Sequence, residues 1–470
     1  MAIEKIRTSA FAIIIAGISY ALLQIIFLPD APILEPDSAS YLAFSPIRTA
    51  TYPLLLRAMG SDIMVIIQPL FYAIATIAIS LYCLTISRHP LPALAIMVGL
   101  LINPEVNNHH SRIMTESLFM TCLLVFLIAV MAFFRSPGWR LAFVTGILAG
   151  LAATIRPSGY ALCPVLVVMV LMARKQLAAT PVFVILLAAV MPMLVVVGGE
   201  RAYTSWVQGD QATSLMGRHL LAKSIMIDVP RRESETDPVR QQFLNAAENT
   251  FEPIRTLLKQ APNQDILSPL SQNYETCLEY ACIAPVRAEI DLSEQKINAI
   301  ALSVAIERLS AAPLSYGKLV WLNYRAMWAL YPQTHPWLAP DFRTFVIQHR
   351  PLPFAELVPT LDIDAPESRA SLVLRPTILS IGIMTGLAAI IALGMALRGR
   401  YSSPLLATSL IAALAVHLSL LLTALVGVGI SRYTISLWPL VIPATVITAL
   451  SGGKLIRERL RLWRPRPQRG

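Results

Sequence analysis

Charge is in short supply in this chain. Only 14% of its 470 residues are Asp, Glu, Lys or Arg, against 56% hydrophobic, whereas soluble domains carry roughly 25% charged residues. That shortage excludes an ordinary soluble domain and marks an integral membrane protein. Cysteine is also scarce, with five residues in all. No Cys-x2-Cys spacing occurs, which excludes the usual zinc frameworks. There is no internal repeat, no low-complexity tract and no alternating strand pattern of any length. The first apolar run, Thr8 to Leu28, lacks a small-residue cleavage site after it and is too long for a signal-peptide core, so it reads as a retained helix. The net charge of +10 comes largely from cations at span ends and in the tail from Lys454 to Arg469. That distribution fits a positive-inside anchor on anionic lipid rather than nucleic-acid binding.

What is present is a succession of apolar runs. Measured against the roughly 17–25 residues a bilayer requires, about ten spans are expected, at 8–28, 62–87, 91–103, 115–134, 141–155, 160–173, 177–198, 375–397, 404–430 and 434–451. The expected fold is an all-α polytopic membrane protein with a mostly helical outward cap. An inward N-terminus places Arg88, Arg135, Arg140, Arg174, Lys175, Arg398, Arg400 and the tail on the cytoplasmic side, so that every second loop is basic. The opposite loops then face the periplasm, which makes this a multi-pass inner-membrane protein with its polar loops outside.

Four divisions follow: a seven-span module at 1–198, a polar segment at 199–373, a three-span module at 374–451 and a basic cytoplasmic tail at 452–470. The polar segment is too long for a plain connector and has helical periodicity over Pro238–Gln260 and Leu292–Ser310. Cys277 and Cys282 fall within it, in an oxidising compartment, as either a small disulfide or free thiols. Cys83, Cys122 and Cys163 read as packing residues. Trp321, Tyr324, Trp328 and Tyr331 share one helix face. They form either an interfacial belt on a helix parallel to the surface or an aromatic wall for a prenyl chain or sugar.

The outward loops hold the groups capable of chemistry. Glu35 and Asp37 lie just beyond the first span with Tyr41, Arg48 and Tyr52. His109, His110 and Arg112 precede Glu116, Arg156 ends the fifth span, and Arg432-Tyr433 opens the last. Arginine in short outward loops opposes the positive-inside bias. Arg48, Arg112, Arg156 and Arg432 therefore call for another explanation, such as an anionic group bound at the outer leaflet. Plain alternatives stand beside these readings. Glu116 suits a helix N-terminus, Arg432 can snorkel, Lys223 can be a cap residue, His417 a hydrogen-bonded packing residue, and the adjacent His109 and His110 solvated loop residues.

The order Pro36-Asp37-Ser38-x-x-Tyr41, Arg48, Tyr52-Pro53, then Thr115-Glu116-Ser117-Leu118-Phe119, Gly150 to Pro157 and Arg432-Tyr433 resembles the GT-C membrane glycosyltransferases. Among these are the protein O-mannosyltransferases and lipid A aminoarabinose transferases. The resemblance covers the N-terminal module and, more weakly, the last spans. It implies an enzyme using a polyprenyl-phosphate sugar donor and a lipid, glycan or protein acceptor, with Asp37 as the essential acid. Arg48, Arg112, Arg156, Arg432 and, more weakly, Lys223 are the expected donor-phosphate clamps. Glu35, Tyr41, Tyr52, His109, His110, Glu116 and Tyr433 are expected to line the substrate. Many relatives carry two adjacent acids where this chain has Glu35 and Asp37 separated by proline. Some relatives use a divalent metal and others none, so no cofactor is assigned. A single displacement with Asp37 as base implies inversion. The rival readings are an O-antigen polymerase or ligase, a lipid or glycan transporter, and a structural scaffold. Charges gathered at the outer rim, with nearly charge-free spans, argue against transport.

Overall fold

The computed structural model describes residues 2–35, 37–177, 180–209, 214–229, 237–260, 270, 273–290, 292–328 and 369–462. Tyr331 and the end of the basic tail lie outside them. In chain order the main helices are α1 Ala2–Ile26, α2 Ser61–Ser87, α3 Pro90–Leu101, α4 Glu116–Arg135, α5 Trp139–Ile155, α6 Leu162–Ala173 and α7 Val182–Gln208. The polar segment after α7 contributes α8 Met216–Ile225, α9 Pro238–Asn249, α10 Glu252–Gln260, α11 Glu294–Ala311 and α12 Pro313–Met327. The chain closes with α13 Arg369–Arg398, α14 Pro404–Val426 and α15 Trp438–Leu462. No strand forms among the described residues; a single bridge joins Ile33 to Arg112.

Apolar runs become helices because lipid offers no partner for a backbone N–H or C=O, so each must be satisfied within its segment. Among the described residues, six helices are long and apolar enough to cross a membrane: α1, α2, α4, α7, α13 and α14. The chain is thus all-α and multi-pass. Shorter apolar helices (α3, α5, α6 and the first part of α15) stand at the positions of the other expected runs. Helix α4 is the hub, with Phe119, Leu123, Phe126, Leu127 and Phe133 fully buried. Helices α5 and α7 pack closely because Gly146 lacks a side chain. A Cβ there would lie 2.1 Å from the Ala189 carbonyl oxygen. Small residues four apart, Gly146 and Gly150, are the usual means of bringing membrane helices together.

Basic turns meet at one end of the bundle. Arg174 donates to the Leu397 carbonyl at 2.6 Å, the Lys175 amide to Gly399 at 2.9 Å, and Tyr401 to the Phe134 carbonyl. The cap packs on the opposite end around its own core of Leu221, Phe243, Phe251, Ile283 and Val304. That core continues into Val428 and Ile430 of the turn after α14. Cys277 and Cys282 are disulfide-bonded within the cap.

Helix α7 runs past residue 198 to Gln208. One expectation requires correction: α12 does not lie parallel to the surface but descends along α14. The Tyr316 hydroxyl donates to the Leu425 carbonyl at 2.9 Å, and Tyr324 pairs with His417. Eight residues separate the contacts on each helix, so α12 follows α14 for about 12 Å at the α-helical rise. Pro313 opens α12 after a 105° bend from α11. The descent is favourable because the polar ends of its aromatic residues find partners on α14. His417 also bonds Thr385 at 3.0 Å and stacks on Trp328.

Candidate functional site

The end of the bundle beneath the cap gathers loops that are remote in sequence. Two backbone bonds tie the loop after α1 to the loop before α4: Ile33 N–H to Ser111 O at 2.9 Å, and Ile113 N–H to Ile33 O at 3.1 Å. Ser38 adds a third tie, accepting from the Glu35 amide at 2.8 Å and donating to the Ile113 carbonyl at 2.9 Å. From α2, Gln68 donates to the His110 carbonyl at 2.7 Å and accepts from Tyr52 at 3.2 Å. These bonds set Asp37 and Glu116 into one rim.

Within the rim, acids and guanidiniums alternate along one chain. Arg48 spends all three nitrogens: Nη2 on Asp37 Oδ1 at 2.6 Å, Nε on Ser40 Oγ at 2.7 Å and Nη1 on Tyr41 Oη at 3.1 Å. Its guanidinium also lies 4.4 Å from the Tyr41 ring centroid. Arg432 reaches Asp37 Oδ2 at 3.5 Å and Glu116 Oε1 at 2.5 Å. Arg156 holds the same Glu116 oxygen at 2.8 Å and sits over the Tyr433 ring. The order Arg48–Asp37–Arg432–Glu116–Arg156 therefore has three positive and two negative members, with one positive charge in excess. Glu116 is fully buried, whereas 41% of the Asp37 side chain is exposed. Asp37 is the acid that faces solvent.

Arg432 is placed by tertiary contact rather than by its own helix. The Gly429 amide donates to Asn323 Oδ1 at 2.7 Å, and Thr434 donates to the Met327 carbonyl. A Cβ on Gly429 would fall 2.0 Å from the Asn323 carbonyl oxygen. The turn after α14 is thus pressed onto α12, and the short helix Ser431–Ser436 starts where Arg432 can span both acids.

The electrostatics follow from this arrangement. Burial raises the Asp37 pKa, but the attraction of Arg48 and Arg432 outweighs it and holds the carboxyl below its ordinary value. Burial pulls Arg432 down, while Glu116 and Asp37 more than compensate and push it up. His109 is buried, with Nδ1 lacking a hydrogen-bond partner among the described residues. Burial, aided by Arg432, Arg112 and Arg156 and opposed by Glu116, lowers it to about 4. It is a neutral imidazole beside the chain at pH 7.

Several expected lining residues lie elsewhere. His110 points into the bundle and is fully buried. Tyr20 donates to Asn107 Oδ1 at 2.7 Å, so its oxygen accepts from His110 Nε2 at 2.9 Å, and His110 Nδ1 accepts from Ser117 at 2.7 Å. This network braces the start of α4, next to Glu116. Tyr52 is fully buried behind Tyr41. Glu35 pairs with Arg112 at 2.8 Å in a bridge separate from the alternating chain. Lys223 is enclosed in the cap and makes no ion pair with the rim acids among the described residues. Glu116 does more than cap a helix, since it joins two arginines. Sequence reasoning missed Gln68 and Asn323, because each acts across tens to hundreds of residues and has no local spacing to mark it.

Asp37, Glu116 and the separate Glu35 are each paired with guanidinium, an environment that repels a divalent cation. No cluster of three or more His, Cys, Asp or Glu suited to a metal occurs among the described residues. Comparison with protein-family models and with curated proteins returns no match; the functional reading rests on the geometry of the rim.

Proposed function

We propose that this protein is a membrane glycosyltransferase of the GT-C kind. In this reading it has ten spans, and the rim faces the periplasm from the cytoplasmic membrane. It moves a sugar from a polyprenyl phosphate to a lipid, glycan or protein acceptor. The observation that carries the proposal is the half-exposed Asp37 held between Arg48 and Arg432 in a chain with an excess guanidinium.

The reaction suits those groups. The acceptor hydroxyl oxygen attacks the anomeric carbon, the bond from that carbon to the phosphate oxygen breaks, and the electron pair goes to phosphate. The donor phosphodiester carries one negative charge; the released phosphate carries up to two. An excess cation therefore binds the departing phosphate more strongly than the starting diester, which lowers the barrier instead of only tightening binding. The hydroxyl proton passes to Asp37. The flanking arginines keep Asp37 ionised at neutral pH, and its exposed face lets the proton leave to water. The 3.5 Å contact between Arg432 and Asp37 is the loosest in the chain, so Arg432 is the arginine that can turn to phosphate while Arg48 keeps Asp37 in place.

Asp37→Asn preserves shape and removes the base. Transfer from a panel of radiolabelled polyprenyl-phosphate sugars should fall by about 10²–10⁴-fold, the usual contribution of a positioned base, with membrane insertion unchanged. Near-normal transfer by an inserted Asp37→Asn protein would sink the proposal.

A further inference from the structure

The cap contains a lysine that the rim chemistry leaves unexplained. Lys223 on α8 is fully buried, and its Nζ has no hydrogen-bond partner among the described residues. An ammonium taken out of water without a counter-charge is strongly unfavourable, so a buried lysine either joins an anion or sheds its proton. Burial draws Lys223 down to about 7, so both states are within reach at neutral pH.

One turn earlier on the same helix face stands His219. Its Nδ1 pairs with the Tyr274 hydroxyl, and Tyr274 donates to the Val426 carbonyl at 3.2 Å. Val426 ends α14, next to the turn that presents Arg432. The charges acting on His219 are Lys223, Arg218 and Arg48, all positive. Arg218 is paired with Glu294, while Arg48 is the partner of Asp37. His219 therefore lies within the field of both the buried lysine and the rim. With Tyr274 donating to Val426, His219 Nδ1 carries its proton and donates to Tyr274. The Nε2 lone pair remains to take up a proton when an anion approaches.

We propose that α8 carries a second anion subsite, in which Lys223 and His219 receive a phosphate group while the rim arginines hold another. This rests on reading the rim as a phosphate-binding transfer site. It adds that the bound substrates together present two anionic groups: either the donor is a diphosphate lipid or the acceptor is itself phosphorylated. An arriving phosphate raises the proton affinity of both side chains, which then take up protons from water, and supplies the missing counter-charge.

The test is calorimetric titration of the full-length protein in detergent with inorganic phosphate. Lys223→Met is apolar and similar in length, so it removes the amine without opening a cavity. The wild type should bind two phosphates per chain. Lys223→Met should bind one, with at least a tenfold loss at the other site, and Lys223→Arg should retain both. Arg432→Gln should lose the complementary phosphate. If Arg432→Gln keeps two while Lys223→Met keeps one, the rim reading fails and the cap subsite stands. A Lys223→Met protein with wild-type stoichiometry and affinity overturns the subsite, as does a wild type that binds a single phosphate insensitive to Lys223. Lipid competition identifies the source. Displacement of both phosphates by a polyprenyl diphosphate, and of one by the monophosphate, assigns the second group to the donor. Displacement of one by either lipid assigns it to the acceptor.

Discussion

Arg432 does what no lysine could do at its position. Its planar guanidinium spans two carboxylates through separate nitrogens, Nε to Glu116 and Nη2 to Asp37, whereas an ammonium is a point charge without a fork. Arg432→Lys should cut transfer about 100-fold, measured in the same radiolabel assay. Glu116→Gln leaves Arg156 and Arg432 facing each other at a buried site. Breaking a buried pair in this way costs about 3–5 kcal/mol, so a clear drop in Tm in detergent is expected. Histidines make stability depend on pH. His109 and His219 sit at about 4, and His110 at about 3, against an ordinary value near 6.5. Between pH 6.5 and 4 the unfolded chain binds protons that the folded chain refuses, so stability falls as pH falls through that window. The slope is about 1.4 kcal/mol per pH unit for each histidine. Thermal melts at pH 7.5 and 5 should differ in that direction, and His110→Gln should flatten the dependence.

The decisive contacts between elements are made by α12. It holds the turn that carries Arg432 through Asn323 and Met327 and follows α14 through Tyr316 and Tyr324. Gly429→Ala cannot be accommodated without moving one backbone off the other. It should lower transfer by at least tenfold while Asp37, Arg48 and the Arg156–Glu116 pair stay in place, a loss read by activity and not by membrane insertion. Trp321, 57% exposed on the outer side of α12, tests the descent of this helix. With the other six tryptophans replaced by Phe, its fluorescence should be quenched by lipids brominated on their chains. A helix lying on the surface would show strong quenching only by water-soluble quenchers.

The whole molecule separates two kinds of charge. One end collects basic turns, where Arg174 bonds the Leu397 carbonyl, and the other collects arginines that face acids. Single cysteines at 35 and 112, in a chain without its native thiols, should react with an impermeant maleimide from one side of the membrane, and those at 137 and 400 from the other. Labelling of all four from one side would overturn the arrangement. Much of this was legible in the sequence. The helices lie close to the apolar runs because their lengths are dictated by bilayer thickness and by the need to satisfy the backbone. Arg48, Arg112, Arg156 and Arg432 stood out because they oppose the usual charge bias. The descent of α12 was not legible, because an aromatic face serves equally at a headgroup boundary or against a neighbouring helix. The inward turn of His110 and Tyr52 was not legible either, since polar loop residues have no periodicity to reveal which way they point.

Composition and hydropathy, properties summed over tens of neighbouring residues, determined by themselves that the chain is a multi-pass helical membrane protein with an acid and several arginines in its polar loops. Pairing was decided only by tertiary structure. Which guanidinium meets which carboxylate, why Glu116 is buried while Asp37 stays open, and why Lys223 is enclosed away from the rim all depend on contacts between segments up to 395 residues apart, as in the Arg432–Asp37 pair. An ion pair is set by a distance of a few ångströms, and no local sequence pattern encodes a distance across the fold.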